Sequence, residues 1–186
     1  MIETGASKSP ANKAISRLQD AVHALPKSVK GTYIHQGIDS NHEIRILRIQ
    51  HGKGDDRLEC MLFPSALELG NNQTSHSKHQ KWPYTALSYW WGDPDEIATN
   101  RITIYYDTGA RGVRQTLNEF NLSGSFFIRH NLKAALLRFR HATEDVNVWV
   151  DAICINQDDK AEKTCQVARM HEVYTQAEAV CVWLGK

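Results

Sequence analysis

The sequence predicts an α/β domain on a three-layer, mainly parallel sheet, with an N-terminal β-hairpin and an inserted hairpin. Three observations carry this expectation. Val146–Ile155 and Ala179–Leu184 are β-rich and mostly apolar, as in strands covered on both faces. Between them, Val167, Met170, Tyr174 and Ala177 recur at helical spacing. Strand, helix, strand in this order implies a right-handed crossover joining parallel neighbours, which sets Trp149 beside Trp183. The chain has 186 residues, 41% hydrophobic and 23% charged, enough for one domain with a real core.

In chain order, residues 1–40 read as an arm. Ile15, Leu18, Val22 and Leu25 form an amphipathic helix stripe within it, ended by Pro26, that either packs on the domain or meets a partner. Glu43–Ile49 alternates imperfectly, with Ile44 and Ile46 on one side, and Arg57–Phe63 alternates better across the turn His51–Asp56, giving a hairpin at the start of a domain spanning 41–186. Gly70–Lys81 is a polar loop. Its His76 and His79 have neither a helix nor cysteines to make a metal site, and no metal is expected. Tyr84–Trp91 is strand-like and stops at Gly92-Asp93-Pro94. Arg101–Tyr106 alternates, and Ser125–Ile128 returns as its partner across a long loop. Leu132, Ala135, Leu136 and Phe139 mark a helix. Asp159 and Glu162 hold the N-cap and N3 places of a reciprocal cap on the next one.

Charge and cysteine usage exclude several classes. With 22 Lys+Arg against 21 Asp+Glu the formal charge is +1, so no basic field points to nucleic acid. The longest apolar run, Ala179–Leu184, is far short of the roughly 20 residues of a membrane span. Cys60, Cys154, Cys165 and Cys181 lack C-x-x-C spacing, and the first residues lack a signal-peptide pattern, so a reduced, cytoplasmic chain is expected. A strand at the very end of a domain leaves an edge to protect, so the domain reads as incomplete at its C-terminal side.

Ligands of open α/β sheets sit beyond the carboxyl ends of the strands. Those ends carry Ser88, Trp91, Gly92 and Asp93 after one strand and Asp151, Asn156 and Gln157 after another, with Glu162 on the following helix. Such carboxylates, amides and a hydroxyl suit a polar ligand or a general acid or base. The same residues also serve as turn formers and caps. Cys154, inside an apolar segment, reads as a buried thiol with a raised pKa. Trp149 and Trp183 read as core, and of Trp90 and Trp91 one as core and one as cleft lining. No cofactor is implied.

Tyr84-Thr-Ala-Leu-Ser-Tyr-Trp-Trp-Gly-Asp93, Asn131–Leu136, Trp149–Asp159 with Glu162 and Gln166, and Val182–Gly185 resemble, in order and spacing, the motifs of the heterokaryon-incompatibility (HET) domain family. The resemblance covers about residues 42–186, with an insertion at Asp107–Phe127 and a departure at Trp90. It implies a fungal allorecognition module that triggers programmed cell death, with protein partners: self-association and the sensor or regulatory regions of a longer protein. The family has also been likened to Toll/interleukin-receptor (TIR) domains, which implies a TIR/flavodoxin-like sheet. In that likeness Ala86–Trp90, Val148–Ile155 and Val180–Leu184 are successive strands, and Asn156, Gln157, Asp158, Asp159 and Lys160 form an assembly loop. The alternative implied is a TIR-like NAD glycohydrolase, with NAD as substrate. Its catalytic glutamate would follow the third strand, beyond Lys186, and Glu162 lies on a different helix, so the resemblance assigns no catalytic residue here and makes an enzyme the lesser reading.

Overall fold

The computed structural model describes residues 31–54, 56–68, 77–93, 95–107 and 123–185. The strands are β1 (Glu43–Ile49), β2 (Glu59–Ala66), β3 (Thr85–Tyr89), β4 (Asn100–Tyr106), β5 (Ser123–Ile128), β6 (Val146–Trp149) and β7 (Ala179–Trp183). The helices are α1 (His130–Phe139), α2 (Asp151–Cys154), α3 (Lys160–Ala168) and α4 (Met170–Gln176). All seven strands form one sheet in the order β5-β4-β2-β1-β6-β3-β7. The amphipathic stripe of residues 15–25 and most of the polar loop, His76 included, lie outside the described residues.

The sheet is mixed rather than mainly parallel. Three neighbouring pairs are parallel (β2·β4, β6·β3, β3·β7) and three antiparallel (β1·β2, β1·β6, β4·β5). The cause is the hairpin β1–β2, which enters the middle of the sheet instead of decorating it. Glu43, Ile44, Arg45, Ile46, Leu47 and Ile49 of β1 are all buried, so this strand is covered on both faces although Glu43 and Arg45 are charged. The second hairpin pairs as expected, Asn100 opposite Ile128, and extends the sheet beyond β2.

Strand β3 lies between β6 and β7, so Trp149 and Trp183 are on co-directional strands that are not neighbours. Trp149 is fully buried and meets Tyr174 edge-on, with ring centroids 5.7 Å apart. Trp183 is half-buried. Trp90 and Trp91 are both exposed, 69% and 40%, and neither is core. The edge strand β7 is covered on one side only: Val180, Val182 and Leu184 face outward.

Two further expectations give way to local geometry. The run Val146–Ile155 is strand only to Trp149; at Asp151 the chain turns into α2, where Asp151 Oδ1 accepts from the Ala152 amide at 2.7 Å. Cys154 therefore sits on a helical turn. The single helix expected after Asp159 breaks at Arg169 (φ −103°, ψ 6°). Before the break α3 turns Glu162 and Gln166 inward and leaves Val167 exposed; after it, α4 buries Val173, with Met170 and Tyr174 packed on the core. Gln166 Nε2 donates to the Glu43 carbonyl at 2.8 Å, and Arg45 meets Glu162, so α3 docks on β1 through polar groups.

From Gly31 onward the stretch read as an arm packs on the domain. Residues 31–33 line the β5 edge, Tyr33 stacks on Tyr106 at 4.7 Å, and His35 Nε2 lies 2.7 Å from the Ile153 carbonyl.

Candidate functional site

The carboxyl ends of β3, β6 and β7 point the same way, and a network of side chains ties their rims together. Gly92, at φ +95°, lets the chain reverse after β3; a Cβ there would lie 2.6 Å from Glu96 Oε2. That glutamate's other oxygen accepts from the His130 amide at 3.0 Å and so caps α1. Asn131 reaches both ways: its Nδ2 donates to the Trp90 carbonyl at 2.6 Å, and its Oδ1 accepts from Trp183 Nε1 at 2.8 Å. Arg129 donates to the Trp91 carbonyl at 3.1 Å.

Asp151 is the chemical centre of this rim. Trp91 Nε1 donates to its Oδ2 at 3.1 Å, and the Trp91 ring stacks on Tyr89 with centroids 6.4 Å apart. Burial raises the Asp151 carboxyl above the usual range, against the Ala152 amide and the Trp91 indole, which lower it. The Tyr89 phenol is raised by burial and then by the Asp151 charge. Tyr174 is raised for the same two reasons and lowered by a hydrogen bond with Ser88. Ser88, Trp91, Gly92 and Asp151 thus belong to one rim, where a carboxyl that resists ionisation lies among three aromatic rings. The arrangement suits a polar contact to a carboxyl that burial makes harder to ionise than a solvent-exposed one.

The other predicted residues do different things. Asp93 Oδ1 accepts from the Asp95 amide in an exposed turn, and no hydrogen bond or ion pair among the described residues joins it to Asp151. Gln157 Nε2 donates to the Asp151 carbonyl at 2.9 Å and holds the α2 turn shut. Asn156 Oδ1 accepts from the Asp158 amide, and Asp159 caps α3 through the Ala161 and Glu162 amides. Glu162 does not complete the reciprocal cap. Its carboxylate accepts from Arg45 Nη1 and Nη2 at 2.5 and 2.8 Å and from the Asn156 amide at 2.8 Å, inside the protein. Asp158, Asp159 and Lys160 are exposed. Burial pushes the Cys154 thiol up to about 12. Among the described residues, no group of three His, Cys, Asp or Glu side chains is placed to hold a metal ion.

The sequence gives Arg45 and Asn131 no site role and reads Trp183 only as core. The one signal for Arg45 was a charge inside an otherwise apolar strand. Asn131 and Trp183 lie within recognisable motifs, but nothing in the spacing brings them together.

The fold and rim define an α/β domain whose β3 loop, α1 cap and final strand are interlocked. The heterokaryon incompatibility protein (HET) family matches residues 84–186, and the chain belongs to that family. Heterokaryon incompatibility protein 6, OR allele, of Neurospora crassa is 38% identical over 111 residues, covering 55% of this chain and 14% of that protein. The chain thus spans a small part of its relative's length. No solved structure matches it. The rim residues Ser88 through Trp183 fall within the matched range, whereas β1 and β2, which supply the centre of the sheet, precede it.

Proposed function

We propose that this chain is the effector module of a fungal heterokaryon-incompatibility protein, triggering cell death through self-assembly or engagement of a partner in the cytoplasm. The observation that carries this reading is the family match over residues 84–186, which takes in the whole interlocked rim and the adjoining loop Asn156–Lys160. That loop supports an assembly role because its backbone is held by caps, Asp159 among them, leaving the Asp158 and Lys160 side chains at the surface. Expression in a filamentous fungus tests it. Growth arrest is expected from the wild type, with loss in a folded Asp158→Lys, Lys160→Glu double variant that also sediments as a smaller species. Undiminished arrest and unchanged sedimentation in that variant would defeat the assembly reading.

A second reading, a TIR-like NAD glycohydrolase, is favoured by one feature. Three parallel strands in the order β6-β3-β7 have the local second-first-third arrangement of flavodoxin-like sheets, and Asp151 lies where they end. Nicotinamide release from NAD that disappears in Asp151→Ala would support it. No release at high protein concentration, from a chain extended past Lys186, would remove it.

A further inference from the structure

A hollow of about 360 Å³ lies away from the Asp151 rim, between α1 and the segment that leads into β2. Its α1 wall is one helix face, His130, Lys133, Ala134 and Leu137, at positions i, i+3, i+4 and i+7. Arg57, Leu58 and Arg101 of β4 also line it. The cations here are Arg57, Arg101 and Lys133. No hydrogen bond or ion pair is made by any of their side chains among the described residues, and both arginines are exposed. Among the described residues Asp56 is the one carboxylate lining the hollow, and its Oδ2 already accepts from the Lys53 amide at 2.9 Å. Glu59 faces a neighbouring hollow across the two arginines. Among the described residues that line the hollow the excess is therefore positive, in a chain whose overall charge is only +1.

Three like charges gathered around one concavity repel each other, and a bound dianion relieves that repulsion. Guanidinium groups present paired N–H donors that match two oxygens of a phosphate, and an ammonium adds a point charge. A carboxylate would neutralise one cation and leave two. Leu58, Ala134 and Leu137 add an apolar side, and the volume is at the low end for small-molecule sites. We infer that this hollow is a binding site for a phosphate monoester of nucleotide size, its phosphate held by Arg57, Arg101 and Lys133 and its body resting on Leu58, Ala134 and Leu137.

Titration calorimetry of the purified 186-residue chain with AMP, inorganic phosphate and adenosine tests this. AMP is expected to bind roughly tenfold more tightly than either fragment, with affinity falling as salt rises. Arg101→Ala and Lys133→Glu are each expected to weaken AMP binding roughly tenfold or more, the loss of a charge-assisted contact, with unchanged melting profiles. Lys163→Ala, at an exposed α3 position that lines neither the hollow nor the rim, should bind AMP like the wild type. No AMP binding at millimolar concentration, binding unaltered in both hollow variants, or phosphate binding as tightly as AMP would each overturn the assignment.

Discussion

Removing one side of the buried Arg45–Glu162 pair should unfold more of this protein than any other single polar change. Side-chain exposure is 3% for Arg45 and 7% for Glu162, so neither charge has water to fall back on. The guanidinium uses every N–H: two bonds to the Gln36 carbonyl, one to the Cys154 carbonyl and two to the Glu162 carboxylate. Glu162→Ala strips two of these donors of their acceptor, leaves the Asn156 amide unpaired and strands a buried cation. Breaking a buried pair in this way costs about 3–5 kcal/mol, which for a chain of this size lowers the melting temperature by roughly 6–20 °C. Replacing both partners, Arg45→Met with Glu162→Leu, should recover much of that loss, because an apolar pair of similar volume has no charge to desolvate. Urea denaturation of the two single variants and the double variant supplies the cycle. A Glu162→Ala loss below about 1 kcal/mol, or strictly additive variants, would refute the view that α3 is docked by this ion pair.

Further outcomes follow from the same geometry. Gly92→Ala should lose about 1–3 kcal/mol, since it forces a side chain into a left-handed φ and displaces the Glu96 cap; thermal melting reads this. Trp149→Ala should lose about 3–5 kcal/mol, because a fully buried indole leaves a cavity beside Tyr174. Asp151 titrates above its unfolded value of 3.8, so the stability it contributes is complete below that pH and is lost as pH rises through the raised folded pKa. Accordingly, the gap in urea midpoint between Asp151→Asn and wild type should shift in favour of the variant from pH 4 to pH 7; a constant gap would contradict a raised pKa. In the native state iodoacetamide should modify Cys165 and Cys181, which are half-exposed, and spare Cys60 and Cys154, whose thiols burial pushes up to about 12; peptide mass mapping distinguishes them.

Elements whose partners are local or periodic were legible in the sequence. The β1–β2 hairpin, the β4–β5 pair and the α1 face Leu132, Ala135, Leu136 are stated by alternation or by helical spacing, and the structure has them. What spacing does not encode is which strands become neighbours. An apolar strand reads the same whether its neighbour is parallel or antiparallel, so the entry of β1 between β2 and β6 had no local mark. Nor does an apolar run distinguish a strand from a buried helical turn, which is why α2 was read as strand. The α3 face was misjudged because hydrophobic periodicity tracks apolar burial, and α3 buries Glu162 and Gln166. Asp151 and Trp91 were expected at one rim from the strand-end rule alone; that an indole N–H reaches the carboxylate depends on the turn at Gly92 and on α2, both long-range outcomes.

The rim's construction also governs how loss of function must be interpreted. The carbonyls of Trp90 and Trp91 are taken by Asn131 and Arg129, the indole of Trp91 by Asp151, and that of Trp183 by Asn131. A substitution at Gly92 thus acts on the α1 cap and, through Asn131, on the end of β7, before it acts on any ligand. Even Asp151 anchors Trp91 as well as offering a carboxyl. Silence at these positions would be telling, but a defect there is compatible with scaffold failure alone. Asp158 and Lys160 are different, because among the described residues their exposed side chains cap no helix and close no turn. Activity lost in a variant of those two with an unchanged melting temperature therefore speaks to a contact made with another molecule. Activity lost at Gly92 with a lowered one speaks to the architecture that presents the contact.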